Sequence, residues 1–140
     1  VMQIHGRLTN EQRDLIGEDD NNAPPMLKIY WDEGRIRVKT KVLKDFAVDD
    51  VEILHESAWG DDKGQNFKHI VGYDKFTLEV RVKKGEMTVT LNDDETFVYK
   101  DESIKRWGIF ENYFKAGNYF QTRDEDAHAT VKYFSLDVSH

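Results

Sequence analysis

The feature that most constrains the fold is an unbroken alternation of apolar and polar side chains over residues 76–83. The four apolar residues in this run are Phe76, Leu78, Val80 and Val82. A period of two is typical of a β-strand that buries one of its faces. The same period returns at 87–91 and at 96–99, after two short turns rich in Gly, Asp and Asn. Turns of that length join antiparallel neighbours, so the sequence predicts a three-strand meander.

The rest of the chain carries further short segments with the same period. The predicted strands outside the meander are 1–5, 26–31, 35–43, 112–121 and 130–138. Helical periodicity is weak, with room for one turn at 101–107, and residues 6–25 are predicted to form a long loop. We expect Phe134, Leu136 and Val138 to face the core. Eight or nine strands without a repeat predict an all-β fold, a β-sandwich or jelly roll of antiparallel sheets, in one domain over 1–140.

Composition excludes several classes of function. The 27 acidic residues outnumber the 20 basic ones and give a net charge of −7, so a nucleic-acid or anionic-membrane partner is not expected. Without cysteine, the chain has no disulfide, no thiolate nucleophile and no cysteine-based metal site. Four Asp-Asp pairs occur, but none has the spacing of a calcium loop, so we interpret them as turn residues and expect no metal.

Two predicted strands carry polar side chains on one face. Gln3 and His5 project together from the first strand, and Tyr113, Lys115, Gly117, Tyr119 and Gln121 share a face of a later one. Each signal alone is weak, because a lone histidine or a polar edge strand is more often structural than catalytic. Segments 26–31 and 35–43 are predicted to form a hairpin around Asp32-Glu33-Gly34. A basic row alternates through its second strand, where it could simply be a solvated face. Its members are Arg35, Arg37, Lys39 and Lys41.

The order of residues in the two polar strands is a more specific signal than their residue types alone. Gln3-Ile4-His5 and the segment Tyr113-Phe114-Lys115-Ala116-Gly117-Asn118-Tyr119-Phe120-Gln121 closely resemble two motifs of the alginate lyases of polysaccharide lyase family 7. Those motifs are Gln-(Ile/Val)-His and Tyr-Phe-Lys-Ala-Gly-x-Tyr-x-Gln, and residues 129–140 are similar to the family's closing strand. The resemblance implies a jelly roll with a concave cleft, β-elimination of alginate without a metal or another cofactor, and a secreted or periplasmic protein.

The resemblance also implies roles for individual residues. Gln3 would stabilise the substrate carboxylate, His5 would remove the C5 proton, and Tyr119 would protonate the leaving oxygen. Lys115 and Gln121 would bind neighbouring sugars. Further cations would suit an anionic polysaccharide if their strands line the same sheet, namely Lys28, Arg35, Arg37 and Lys39. Ile4 at the centre of its motif favours guluronate-containing or mixed blocks.

The sequence departs from the family in two ways. Phe120 stands where asparagine is commonest, and the family's upstream motif, Arg-(Ser/Thr)-Glu-Leu-Arg, does not occur in these residues. We therefore expect the C-terminal part of a lyase domain, with the remainder supplied by another chain or segment. Two alternatives stay open. One is an inactive fragment, and the other is a non-catalytic carbohydrate-binding module that would use Trp31, Trp59 or Trp107 as platforms.

Overall fold

A computed structural model describes residues 1–118, 126 and 130–139. These residues contain nine strands and two α-helices, together with three short 3-10 helices. The strands are β1 (Met2–Arg7), β2 (Asn22–Asp32), β3 (Arg35–Leu43), β4 (Trp59–Asp61), β5 (Gln65–Ile70), β6 (Leu78–Lys83), β7 (Glu86–Leu91), β8 (Glu95–Tyr99) and β9 (Glu111–Ala116). The α-helices are α1 (Asn10–Ile16) and α2 (Glu102–Arg106), and the 3-10 helices are Glu52–Leu54, Glu56–Ala58 and Trp107–Ile109.

The strands form two antiparallel sheets. One has six strands. Five of them follow the order β4-β3-β2-β1-β9, and the sixth, β5, pairs with β3. The other is the predicted meander, in the order β6-β7-β8. In the larger sheet β1 pairs with β9 along its whole length, from Met2 opposite Ala116 to Arg7 opposite Glu111. The first and last strands of the described residues are therefore neighbours, and their side chains share one surface.

Both predicted hairpins are present. The β2–β3 hairpin turns at Glu33-Gly34, and the β6–β7 hairpin turns at Lys84-Gly85. All four turn residues have positive φ, the left-handed conformation of the two-residue turns that match strand twist. Glycine adopts it at no steric cost, so each turn ends on a glycine for a physical reason.

The two sheets enclose one hydrophobic core, which confirms the predicted β-sandwich. Ile29, Ile36 and Val38 enter the core from the six-stranded sheet. Met87, Val89 and Leu91 enter it from the three-stranded sheet. Each such side chain stabilises the fold by about 1.5–3 kcal/mol relative to an exposed one. Because alternate residues of the central strands β2, β3 and β7 are buried in this core, the intervening ones are available to the outer surfaces.

The expected loop over residues 6–25 is wrong, since these residues contain the end of β1, helix α1 and the start of β2. The Thr9 hydroxyl accepts from the Gln12 amide while the Gln12 side chain accepts from the Thr9 amide, a capping box. Gly17 ends the helix in the left-handed conformation. The pattern Thr-x-x-Gln followed by glycine was the missed signal. Among the described residues, α1 and the expected turn α2 are too short to cross a membrane.

The strand expected at 130–138 is also wrong. Residues 130–139 form no strand, and Phe134, Leu136 and Val138 are at least half exposed instead of facing the core. The segment has a period of two but pairs with no strand edge in the described residues, and a strand needs a partner for its backbone groups. Conversely, β4 and β5 were not predicted.

Candidate active site

A row of polar side chains crosses four strands of the six-stranded sheet on its outer face. Gln3 lies opposite Lys28 of β2 on one side and opposite Lys115 of β9 on the other. Lys28 in turn lies opposite Lys39 of β3. Neighbouring strands are about 4.8 Å apart, so one glutamine and three lysines occupy adjacent positions on the sheet. The lysines form a cationic surface on a chain whose net charge is negative.

His5 stands next to this row, two residues along β1. It lies directly opposite Tyr113 of β9, with the ring centroids 5.4 Å apart and the ring planes tilted by 38°. The His5 Nδ1 atom is 2.8 Å from the Gly6 carbonyl oxygen. A carbonyl can only accept a hydrogen bond, so Nδ1 carries the proton, and in the neutral ring Nε2 keeps its lone pair. The imidazole is thus arranged to accept a proton at Nε2.

The backbone around His5 is shaped by its neighbours in β2. The pairing of β1 with β2 is irregular on both sides of His5, whose partner is Pro25. Proline has no backbone N–H to donate to a neighbouring strand, so a β-bulge such as this irregular pairing is one of the places where a strand accommodates it. Next along the chain, Gly6 faces inward, where a Cβ atom would lie 3.0 Å from Ala23 Cβ and 3.1 Å from the Pro24 carbonyl oxygen. A side chain here would require Ala23 or the Pro24 backbone to move by a few tenths of an ångström, so glycine suits the close approach of β1 to β2 next to His5.

A shallow depression of about 200 Å³ lies over the part of the lysine row on β2 and β3. Its lining residues are Pro25, Lys28, Tyr30, Lys39, Thr40, Lys41 and Asp61. Lys41 Nζ is 2.8 Å from Asp61 Oδ1, and this ammonium group lowers the pKa of the Asp61 carboxyl. The Lys28 ammonium sits 5.2 Å from the centre of the Tyr30 ring. Lys39 forms no ion pair with any carboxylate of the described residues.

The two arginines of the basic row lie on the same face but differ from the lysines. Arg37 donates to Asn66 Oδ1 at 3.1 Å and to the Lys63 carbonyl at 2.6 Å, so its guanidinium already has partners. Arg35 lies at the start of β3, about 13 Å along the strand from Lys39. The sheet therefore brings Gln3, His5, Lys28, Lys39 and Lys115 together, and it leaves Arg35 at a distance.

Two predicted site residues, Tyr119 and Gln121, lie outside the described residues. The chain can be followed towards them as far as Asn118, and the Gly117 amide donates to the Val1 carbonyl at 2.9 Å. A Cβ atom at Gly117 would have no neighbour within 4 Å among the residues that the structure describes.

Sequence reasoning missed two groups on this face. Arg7 continues the period of Gln3 and His5, and a strand prediction extended by two residues would have included it. Asp61 reaches Lys41 through the pairing of β3 with β4, for which there was no local signal. Within 1–118, 126 and 130–139, no three His, Asp or Glu side chains are grouped closely enough to hold a metal ion.

The tryptophans give no platform on this face. Trp59 and Trp107 are each only 3% exposed and belong to the core. Trp31 is partly exposed, but it has the orientation of the core residues of β2 and packs against Tyr73 at the edge of the sheet. Two of the three candidate platforms of a binding module are therefore buried, and the third lies away from the face that carries Gln3 and His5.

Comparison with known proteins gives one family. The family model described as "Alginate lyase" matches residues 1–140. No curated protein matches the chain. Among solved structures, it is similar to alginate lyase A1-II′, a member of polysaccharide lyase family 7, with 29% identity and a TM-score of 0.62, over 89% of this chain and 46% of that one.

Two further similar structures are variants of that lyase with bound sugars. One has a tyrosine replaced by phenylalanine and is in complex with the product GGG, with 28% identity, a TM-score of 0.62 and coverage of 89% and 46%. The other also has a histidine replaced by asparagine and is in complex with the substrate GGMG, with 26% identity, a TM-score of 0.61 and coverage of 89% and 45%. The present chain spans about half the length of these relatives.

Proposed function

The chain belongs to the alginate lyase family, and we propose that it cleaves the 1,4-glycosidic bond of alginate by β-elimination, leaving an unsaturated uronate at the new chain end. The observation that carries the proposal is the position of His5 beside Gln3, which itself lies between two lysines. β-Elimination needs a base next to groups that stabilise a carboxylate. This face offers both on adjacent rows.

The first requirement of the reaction is to stabilise the substrate carboxylate. The C5 proton of a uronate is a poor acid because its removal builds negative charge beside an ionised carboxylate. The Gln3 amide can donate to that carboxylate, and Lys28 and Lys115 flank Gln3 on either side. Charge-assisted hydrogen bonds are roughly twice as strong as neutral ones, so the lysines supply much of the stabilisation of the developing enolate.

The second requirement is a pair of proton-transfer groups. His5 Nε2 takes the C5 proton, the released electron pair forms the C4–C5 double bond, and the C4–O4 bond breaks. Tyr119, assigned by its place in the family motif, gives its proton to the departing O4. In the similar lyase bound to substrate, a histidine and a tyrosine had been replaced, and these are the two residue types assigned here.

We also infer a preference for guluronate-containing or mixed blocks. In guluronate the C5 hydrogen and O4 leave from opposite faces of the ring, which suits two separate groups such as His5 and Tyr119. In mannuronate they lie on the same side, where one tyrosine could serve both steps. Ile4 at the centre of the Gln-x-His motif points in the same direction. His5→Asn should therefore lose more activity on polyguluronate than on polymannuronate, and equal losses would contradict this preference.

The function is tested by incubating the full protein with alginate and following the ultraviolet absorbance of the unsaturated uronate. Tyr119→Phe removes one hydroxyl and little volume, so the rate should fall by about 10² to 10⁴ while the circular dichroism spectrum is unchanged. Tyr133→Phe, in the exposed segment 130–139, is the matched control and should keep the parent rate. Alginate that binds without any rise in absorbance would favour a binding module instead.

A further inference from the structure

The polar face of β1 continues beyond His5 to Arg7. The register between β1 and β9 is unbroken from Met2 to Arg7, so Arg7 projects from the same face as His5. It lies about 7 Å further along the strand. Along β1 the order is Gln3, His5, Arg7. His5 therefore lies between the row of lysines around Gln3 and the guanidinium of Arg7.

A second depression, of about 230 Å³, lies beside Arg7. Its lining residues are Arg7, Asn21, Asn22 and Tyr113. Asn22 is the β2 partner of Arg7, and Tyr113 is the β9 partner of His5. The depression therefore adjoins His5 on the side away from Gln3.

The wall of this depression is held in place by its own hydrogen bonds. The Asn21 side chain donates to the Leu8 carbonyl at 2.8 Å and accepts from Arg13 at 3.1 Å. Helix α1, which carries Arg13, is fixed by Gln12 Nε2 donating to the Ile109 carbonyl at 2.8 Å. A preformed wall means that little ordering is required of the protein when a ligand binds.

The Arg7 guanidinium is available. It is exposed and forms no hydrogen bond or ion pair with any residue that the structure describes. Glu111 lies directly opposite on β9, yet the two side chains form no ion pair in the described structure. A guanidinium presents a planar pair of donors that matches a carboxylate. The neighbouring Glu111 carboxylate is negatively charged and opposes the binding of an anionic group.

We propose that Arg7 and Tyr113 form a second uronate subsite, on the opposite side of His5 from the lysine row. This inference rests on the proposed function, because every sugar of a polyuronate carries a carboxylate and a chain crossing His5 extends to both sides. The guanidinium binds the carboxylate of a sugar that is not the one losing its proton. Tyr113, whose side chain lines the same depression, contacts the sugar.

The experiment compares Arg7→Ala, Arg7→Lys and Glu111→Gln in the full protein, with Arg81→Ala as control. Arg81 is exposed on β6 and pairs only with Glu79 among the described residues, so its removal changes the net charge by the same amount as Arg7→Ala and breaks one exposed ion pair away from the candidate site. Cleavage of alginate oligomers gives KM and kcat, and calorimetry measures the binding of an alginate tetrasaccharide. A carboxyl-reduced tetrasaccharide, which has no anionic group, serves as the neutral probe.

We expect Arg7→Ala to raise KM by about ten- to a hundredfold, the value of one charge-assisted contact, with kcat within about twofold because binding away from the reacting sugar is uniform. Arg7→Lys should recover part of the loss, Glu111→Gln should tighten binding, and Arg81→Ala should match the parent. The neutral tetrasaccharide should bind the parent and Arg7→Ala equally.

The outcomes separate this subsite from the catalytic proposal. Normal cleavage with an unchanged KM in Arg7→Ala would overturn the subsite and leave the function standing. Arg7-dependent binding without any cleavage would support the subsite and overturn the function. A loss in Arg81→Ala equal to that in Arg7→Ala would reduce the effect to net charge and overturn the subsite, and the absence of both binding and cleavage would overturn both proposals.

Discussion

The outer faces of the two sheets are both polar, but their side chains are paired differently. On the three-stranded sheet neighbours satisfy one another, as in the Thr90–Thr96 hydroxyl contact at 2.9 Å and the Arg81–Glu79 ion pair at 2.9 Å. On the six-stranded sheet Lys28 lies directly opposite Lys39, and like charges in that position destabilise a sheet. Such a pair does not stabilise the fold. Its presence therefore favours a role for this face in binding an anionic ligand.

The largest expected effect separates the polar face around His5 from an exposed histidine elsewhere in the six-stranded sheet. His5→Asn removes the proton acceptor and should lower the rate of alginate cleavage by about 10² to 10⁴. His69→Asn, at an exposed position on β5, should leave the rate within about twofold. The rates come from the ultraviolet assay, with circular dichroism as a check on folding. A loss of less than tenfold in His5→Asn would mean that another group removes the proton.

The next effect tests how unevenly the three-stranded sheet is buried. Met87 and Val82 are direct cross-strand partners on its inner side, yet Met87 is 0% exposed and Val82 is 53% exposed. Met87→Ala should lower the free energy of unfolding by about 2–5 kcal/mol, whereas Val82→Ala should change it by about 0.5 kcal/mol or less. Urea unfolding measures both. Equal losses would show that Val82 is covered in the full protein.

A smaller effect concerns Tyr99 of β8, where the two sheets meet. Its hydroxyl is buried and has no hydrogen-bond partner among the described residues, and burial raises the pKa of Tyr99 to about 12. The unfolded chain therefore releases this proton first, and stability should be lost as the pH rises from about 10 to 12. Tyr99→Phe should lack this loss.

At neutral pH the same variant should match the parent or be more stable by about 1 kcal/mol, because an unpaired buried hydroxyl is removed. Urea unfolding of both proteins at pH 8 and pH 11 gives the comparison. A stability gap between them that does not widen at pH 11 would contradict the assigned cause.

The smallest effect addresses the lysine pair itself. Lys39→Gln removes the charge facing Lys28, so the free energy of unfolding should rise by about 0.2–0.5 kcal/mol. Binding of alginate should weaken severalfold in the same variant, since one cation of the face is lost. Thr90→Ala, which breaks a satisfied pair on the other sheet, should lower stability and leave binding unchanged. Effects of the same sign on stability and binding in Lys39→Gln would break the comparison.

The meander could be predicted from the sequence because each of its strands obeys a local rule and each turn is short. Strands β4 and β5 could not, since they exist through pairing with β3, and no local pattern encodes that edge. Residues 130–138 show the converse, a strand period without a ladder partner in the described chain. Helix α1 was predictable from Thr9, Gln12 and Gly17.

The same distinction holds for the candidate site. The period of two predicted that Gln3 and His5 lie on one face, and the family motifs identified the strand that carries Lys115. The register that sets Gln3 opposite Lys115 and His5 opposite Tyr113 is a property of two distant segments. Local patterns contain no information about it. The position of Arg7 on this face also follows from the period of two. It was not predicted because the strand was expected to end at residue 5.

The pairing of β1 with β9 also has a consequence for folding kinetics. The hydrogen bond from Val1 to Gly117 joins positions 116 apart in the chain, whereas the β6–β7 and β7–β8 hairpins close within a few residues. Hairpins form in about 1–10 μs, while contacts between distant segments slow folding by orders of magnitude. A refolding chain can thus complete its meander while His5 and Tyr113 are still far apart. Recovery of the proposed activity should be a late event that reports the pairing of β1 with β9.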